Sequence, residues 1–308
     1  MKAIRSWFDS QSHDDNKQQG DSVDWMRIVP FILLHLGCIA VIWVGVTPIA
    51  ISIAICLYFI RMFAITAFYH RYFAHKSFKT SRFCQFLFAV IGASATQRGP
   101  LWWAAHHRYH HRHADTDNDP HSPKRGFIWS HMGWFLSKKH FQADYNLVPE
   151  LARFPELRYL DRFDVFVPIV LAITLYFVGE WLNLINPALQ TSGWQLVVWG
   201  YFISTVVLLH ATLLINSLAH HWGSRRYDTS DDSRNNFLLA LMTLGEGWHN
   251  NHHYHSASAR QGFYWWEIDI SFYFLLLMKK CHLIWDVKTV SPEKRDRGFT
   301  NAKDKSCV

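Results

Sequence analysis

The sequence predicts an all-α membrane protein: four transmembrane helices in two hairpins, with a cytoplasmic helical cap that carries a histidine-rich metal site. Three observations point there. Four apolar runs approach the roughly 20 residues a bilayer-crossing helix needs. The basic residues are partitioned to one side of those runs. Most of the 20 histidines fall outside them, and three short clusters stand out.

Taken in order, residues 1–27 are polar and hold no apolar core of signal-peptide length, so they are expected to form a tail on the side of synthesis. Residues 28–290 make the integral-membrane domain. Its spans are expected at about 28–46 (IVPFILLHLGCIAVIWVGV), 48–68, 164–185 and 194–217. Turns near Thr47–Pro48 and at 186–192 pair them into hairpins. The run CQFLFAVIGASA, residues 84–95, is too short to span and reads as a re-entrant or interfacial helix. WWEIDISFYFLLLMKK, 265–280, starts with two acids and reads as interfacial. Residues 291–308 form a second polar tail.

Half of the residues are hydrophobic and 16% aromatic, yet the mean hydropathy is near zero. That combination means very apolar segments alternating with very polar ones. A net charge of +7 raises nucleic acid as a partner, but long apolar runs make an anionic membrane surface the better match. Neither hairpin turn contains Lys or Arg. Of the 31 in the chain, all but Arg61 lie in the tail, in 70–163 and in 218–308. The positive-inside rule places those segments and both termini in the cytoplasm; a soluble helical protein would leave the partition a coincidence. Arg61, within a span, is expected to face the bundle. His35 and His210 also fall in spans and read as satisfied core histidines. The cysteines, 38, 56, 84, 281 and 307, form no CxxC pair and read as structural thiols.

The clusters are HRYFAH (His70, His75), HRYHH (His107, His110, His111) and HNNHH (His249, His252, His253). Imidazole suits Zn, Fe, Cu and Ni. Residues three and four apart share a helix face, so positions 1, 4 and 5 of each HxxHH are expected to converge on one site. His70 and His75, five apart, are expected to diverge towards two adjacent metals. A zinc peptidase would need HExxH, which is absent. One structural zinc would need four ligands, often cysteine. The histidine count fits two metals better.

HRYFAHKSFKT, HHRYHHRHADTDNDPHSPKRGFIWSHMGW, NSLAHHWGSRRYD and GEGWHNNHHYH together resemble the membrane fatty-acid desaturases, closest to the Δ9 acyl-CoA (stearoyl-CoA type) branch. That resemblance implies a di-iron centre on His70, His75, His107, His110, His111, His249, His252 and His253, with His220 as a ninth ligand and Asn216 holding a metal-bound water. It implies oxygen-dependent insertion of a cis double bond into a saturated acyl chain. Gln97 and Trp103 match positions that contact substrate in the family. Trp102 and Trp103 would pack near the chain entry or anchor the membrane interface. His106 reads as wall or support beside the box, and His113 as part of the polar loop.

Bacterial acyl-lipid desaturases resemble the region before the second box equally well, so the carrier stands as CoA or a membrane lipid. Arg98, Lys124, Arg125, Lys138 and Lys139 would meet phosphates of CoA, a lipid head group or the electron donor, or simply charge the membrane face. No HPGG haem-binding stretch occurs, so electrons are expected from a separate carrier of cytochrome b5 or ferredoxin type. Two other readings share the histidines: a di-iron fatty-acid or alkane hydroxylase, and a histidine-rich metal-binding or transport protein. The latter would place its ligands within the spans. Nucleic-acid binding would use Lys and Arg on phosphates rather than neutral histidine.

Overall fold

A computed structural model of the chain describes residues 8–11, 20–25 and 28–297. Most of the two polar tails, with Cys307, lies outside the described residues. Most of the described chain is helical; its only strand ladder among the described residues is a short antiparallel ribbon, β1 (Lys79–Thr80) against β2 (Ile284–Trp285), and loops make up the rest.

Three helices are long and apolar enough to cross a membrane: α2 (Pro48–Ala74), α6 (Phe166–Ile185) and α7 (Gly193–His220). The expected first span is a shorter apolar helix, α1 (Val29–Val44). At 1.5 Å per residue it covers about 24 Å, less than a hydrocarbon core of about 30 Å. It stops where Gly45 turns left-handed at φ 66°. Thr47 then caps α2 by accepting from the Ala50 N–H at 3.3 Å, and Pro48 fills its first position. α2 runs past the expected end at residue 68 because Ala64–Ala74 widens into a π-helix.

Between α2 and α6 lie α3 (Arg82–Ala93), α4 (Pro100–His113) and α5 (Pro155–Arg162). α3 spans residues 82–93, as short as the sequence implied, and stacks on α2 through Phe88 and Phe68, 3.9 Å apart. α4 lacks a capping side chain of its own. Asp161 on α5 substitutes: its Oδ1 accepts the Leu101 and Trp102 N–H groups at 2.9 and 2.7 Å. α6 and α7 close into a hairpin so tight that a Cβ on Gly179 would meet Ser192 O at 2.5 Å. Beyond α7 come α8 (Phe237–Met242), α9 (His249–Tyr254) and α10 (Ile270–Lys280). Glu267 and Asp269, taken from the sequence as marks of an interfacial edge, are buried instead. Asp269 caps α10 at Phe272 and pairs with Arg71; Glu267 pairs with Arg226.

The main apolar core gathers where α2, α3, α4, α5 and α10 meet, directly under the histidines. By contrast α6 is only 17% buried, and Phe177, Trp181 and Leu184 stand outward as lipid-facing groups would. The helices and their apolar faces make this a membrane protein.

Arg61 is wholly buried and does face the bundle. Its guanidinium donates to Thr205 Oγ1 and Ser204 Oγ at 2.6 Å each, and to the Gly200, Ser94 and Leu57 carbonyls. It thereby ties α2 to α7 and to the end of α3. Replacing Arg61 with Leu strands those acceptors, and we expect a loss on the order of 3 kcal/mol, read as a lowered unfolding temperature in detergent.

Candidate metal centre

The nine histidines converge from four directions. α2 and its last turn bring His70 and His75, α4 brings His107, His110 and His111, α7 ends on His220, and α9 carries His249, His252 and His253. They sort into two groups. His70, His75, His107, His111 and His252 form one; His110, His220, His249 and His253 form the other; in each, the ligand atoms lie within 4.8 Å of one another. The Nε2 atoms face each other directly. The first group shows separations of 2.8 Å (His75–His107), 2.9 Å (His111–His252) and 3.0 Å (His70–His252, His107–His111). In the second they are 3.1 Å (His220–His249) and 3.4 Å (His110–His253). Ligands about 2.1 Å from a metal and near right angles to one another sit about 3 Å apart. The donor set fits a pair of imidazole-bound metals.

Two expectations about direction are corrected. His70 and His75 belong to one group, not two. The π-helical turn explains this: the His75 N–H bonds the His70 carbonyl at 3.1 Å, five residues back, and that wider turn brings residues five apart onto one face. Each HxxHH box, conversely, is divided. In α4 His107 and His111, one α-turn apart, enter the first group and His110 the second; in α9 His249 and His253 enter the second group and His252 the first. The i,i+4 pair shares a metal, and the residue between them leans to the neighbour.

A cavity of about 440 Å³ reaches the centre from the side of α1 and α6. Trp103, His107, Thr212 and Asn216 line its inner end, where it meets the small space beside the histidines; Leu34, Leu209, Leu213 and Phe202 also line it. Asn216 and Trp103 also line the small space beside His70, His110 and His249. All three candidate substrate residues reach the cavity. Gln97 donates to Thr212 Oγ1 at 3.0 Å. Trp103 stacks on His107, centroids 4.9 Å apart. Trp102 is buried and donates its indole N–H to the His140 carbonyl at 2.9 Å, which removes it from the membrane interface. Leu213 and Thr212 both face the cavity rather than lipid. His106 is a cavity wall, bonded to the Trp102 carbonyl, while His113 bonds Tyr109 O at the end of α4.

The basic candidates are largely paired with acids. Arg98 pairs with Asp164 and lies 3.9 Å from the centre of the Phe141 ring. Arg125 and Lys139 both meet Asp21. Lys124 and Lys138 are exposed.

A family model described as fatty acid desaturase matches residues 42–270. The chain is similar to an sn-1 stearoyl-lipid 9-desaturase of Anabaena variabilis, 36% identical over 86% of this chain and 94% of that one. It is similar to an acyl-CoA 5-desaturase of Anemone leveillei, 37% identical over 94% and 88%. It is also similar to an sn-2 palmitoyl-lipid 9-desaturase of Nostoc sp., 34% identical over 89% and 93%. The chain belongs to the fatty acid desaturase family.

The desaturase is an oxidoreductase, and its histidines are steered by carboxylates that reading the boxes alone missed. Asp119 accepts from His110 Nδ1 at 3.0 Å, Asp115 from His220 Nδ1 at 3.1 Å and Asp231 from His253 Nδ1 at 2.9 Å. In the five-histidine group Glu246 takes the Nδ1–H of His70, and Glu246 is itself paired with Arg71. The four-histidine group therefore sits among three carboxylates, the other beside one that an arginine offsets. For Asp115, Asp119 and Glu246 the sequence signal was present: ADTDNDP begins two residues beyond the second box and Glu246 precedes the third by three residues. His121 was also missed; its ring lies tilted against His110, centroids 4.1 Å apart, and lines the cavity.

Burial, then neighbouring imidazoles, holds His75, His107, His111, His249 and His252 well below the ordinary histidine value, and brings His253 to about 4 despite the opposing pull of Asp231. These rings are neutral at physiological pH, as ligands must be. His110 differs: burial pulls it down, but Asp119, Asp115 and Asp231 outweigh that and raise it.

Two outcomes follow from this arrangement. Changing Asp119 to Asn loosens the His110 group alone, so one of two metal equivalents is lost to chelator at about 10–100-fold lower chelator strength; metal content by mass spectrometry reads it, and equal loss of both would refute it. The depressed histidines bind protons in the unfolded state below about pH 6.5 but not in the folded one. Stability is therefore present above that pH and lost below it, by up to about 1.4 kcal/mol per pH unit for each such ring. The unfolding temperature of metal-stripped protein should fall steeply between pH 6.5 and 5.

Proposed function

We propose that this desaturase uses dioxygen and two electrons to insert a cis double bond, at Δ9, into a saturated acyl chain. Two iron ions would be held by the nine histidines, with Asn216 on a bound water. Bound there, they would supply the dioxygen activation needed to take hydrogens from unactivated methylenes. The observation that carries the reading is the cavity, whose inner end is walled by His107, Asn216, Thr212 and Trp103 and whose length is apolar.

The chain's own residues do the rest. Leu34, Leu209, Leu213 and Phe202 grip successive methylenes and keep water out. Trp103, stacked on His107, sets how closely a chain approaches the centre. The Gln97–Thr212 hydrogen bond pins the opposite wall. Orientation of this kind decides which carbon pair is presented.

The rim favours an acyl chain carried on a membrane lipid over one carried on CoA. Leu33 and Ile169, at 55% and 43% exposure, line the outer cavity from α1 and α6, so it opens towards lipid. Arg98 and Arg125, candidates for phosphates of CoA, are paired with Asp164 and Asp21. Electrons would come from a separate cytochrome b5- or ferredoxin-type carrier. α1, packed along α7, would complete four spans in two hairpins, with the histidine cap and both termini in the cytoplasm; the one-sided charge supports this.

Expression in a host lacking the activity tests the reading. Gas chromatography of its lipids should show new Δ9 monounsaturated chains, and the His107→Ala variant should show none. Hydroxylated chains, or unchanged lipids, would overturn it. In isolated membranes a stearoyl lipid placed in the bilayer should be converted, and stearoyl-CoA alone should not.

A further inference from the structure

Residues 8–11 and 20–25 fall in what the sequence presents as a polar tail, yet both stretches are tied down beside the cavity. Ser10 donates its N–H to the Arg162 carbonyl at 2.8 Å and its hydroxyl to the Asp161 carbonyl at 2.9 Å. The Arg162 guanidinium grips Asp9 as a fork, Nε to Oδ1 and Nη2 to Oδ2, both at 2.8 Å. Asp9 and Ser10 are buried. Further on, Val23 bridges to Ser137, the Lys138 N–H reaches the Ser22 carbonyl at 3.0 Å, and the Asp24 N–H reaches the Leu136 carbonyl at 3.1 Å. Asp21 takes Arg125 at 2.9 Å and Lys139 at 3.9 Å.

These anchors set the segment against one side of the rim. Phe8, Ser10 and Ile28 line the cavity, as do Leu136, Asp164 and Val165 beside the residues that hold them. Arg162 ends α5, and the apolar helix α6 starts at Phe166. Residues 8–11 therefore close the rim on the side of the histidine cap. Leu33 and Ile169, apolar and exposed, form the rim further along α1 and α6, where lipid meets it.

The same two stretches also occupy charge. Of the cations beside this roof, Arg162 is held by Asp9, and Arg125 and Lys139 by Asp21. A water-borne carrier such as CoA needs cations for its phosphates and an opening to water for its nucleotide. A membrane lipid needs neither, because its chain slides in between α1 and α6 while the head group stays at the surface. The Asp21 pairs are exposed and hold weakly. The Asp9 fork, charge-assisted and with one partner buried, is the stronger tie.

We propose that residues 8–11, latched by Asp9 on Arg162, select the acyl carrier: they shut the cavity to water-borne carriers, so that chains enter only sideways from the bilayer. The inference rests on the membrane-lipid desaturase reading and names what enforces it. Specificity of this kind comes from obstructing the wrong carrier rather than gripping the right one harder.

Full-length enzyme in isolated membranes, given a reduced electron donor, tests it with two substrates: a stearoyl lipid in the bilayer and stearoyl-CoA in solution. Asp9→Ala and Arg162→Ala should keep the metal content and the stearoyl-lipid turnover of the wild type. Losing hydrogen bonds to a charged group should open the roof about 10-fold more often. Stearoyl-CoA turnover, at background in the wild type, and hydrogen exchange at the Ser10 N–H should both rise by about that factor. Arg162→Lys, which keeps the charge but not the fork, should fall between. Asp9→Asn should shift both readings the same way and decides the matter if the alanine variants fold poorly. Faster exchange with stearoyl-CoA still unused would overturn the proposal. So would unchanged exchange in the variants, an unprotected Ser10 in the wild type, or wild-type use of stearoyl-CoA equal to that of the lipid. Absence of double bonds from the wild type on both substrates would overturn the desaturase reading instead, and exchange at Ser10 would still judge the latch.

Discussion

Nine imidazole nitrogens turn their lone pairs towards two small volumes, and nothing about that arrangement is stable by itself. Each ring has been taken out of water, none can carry a proton without repelling its neighbours, and lone pairs about 3 Å apart oppose one another. The surroundings exist to hold them there. The π-turn of α2 fixes His70 and His75, Asp161 anchors the start of α4, and Arg71, wholly buried, clamps Glu246 and Asp269 beneath α9 and α10. Gly245 shows how closely this support is fitted: it takes φ +128°, and a Cβ there would meet Asp269 Oδ1 at 2.4 Å.

The polar groups of the membrane segment follow a different rule. Arg61, His35 and His210 are satisfied by carbonyls, hydroxyls and one another rather than by opposite charges. A dipolar partner neutralises nothing, so these groups are held by hydrogen bonds alone. Carboxylates appear instead around the cap, where they fix ring tautomers and bias charge towards the four-histidine group. The cavity passes between these two zones.

The helices and the site residues were legible to different degrees. Apolar run length located α2, α6 and α7, since hydropathy is a property of the segment itself. It overestimated the first span, because Gly45 ends α1 and length alone carries no signal for that. The histidines that group together could be picked out by motif, but not their division, which depends on turn geometry: an i,i+5 turn in α2 and i,i+4 pairs in α4 and α9. Asp115, Asp119 and Asp231 were not picked out. Their roles depend on the loops folding back over the rings, and local sequence does not encode that return.

α9 is a helix of six residues, and it completes both groups. Translation delivers it late: α1 to α7 leave the ribosome first, with six of the nine rings already present and three still to come. Closure of both groups therefore waits on a short segment made after the long apolar helices. Neither group of histidines is complete until that segment docks.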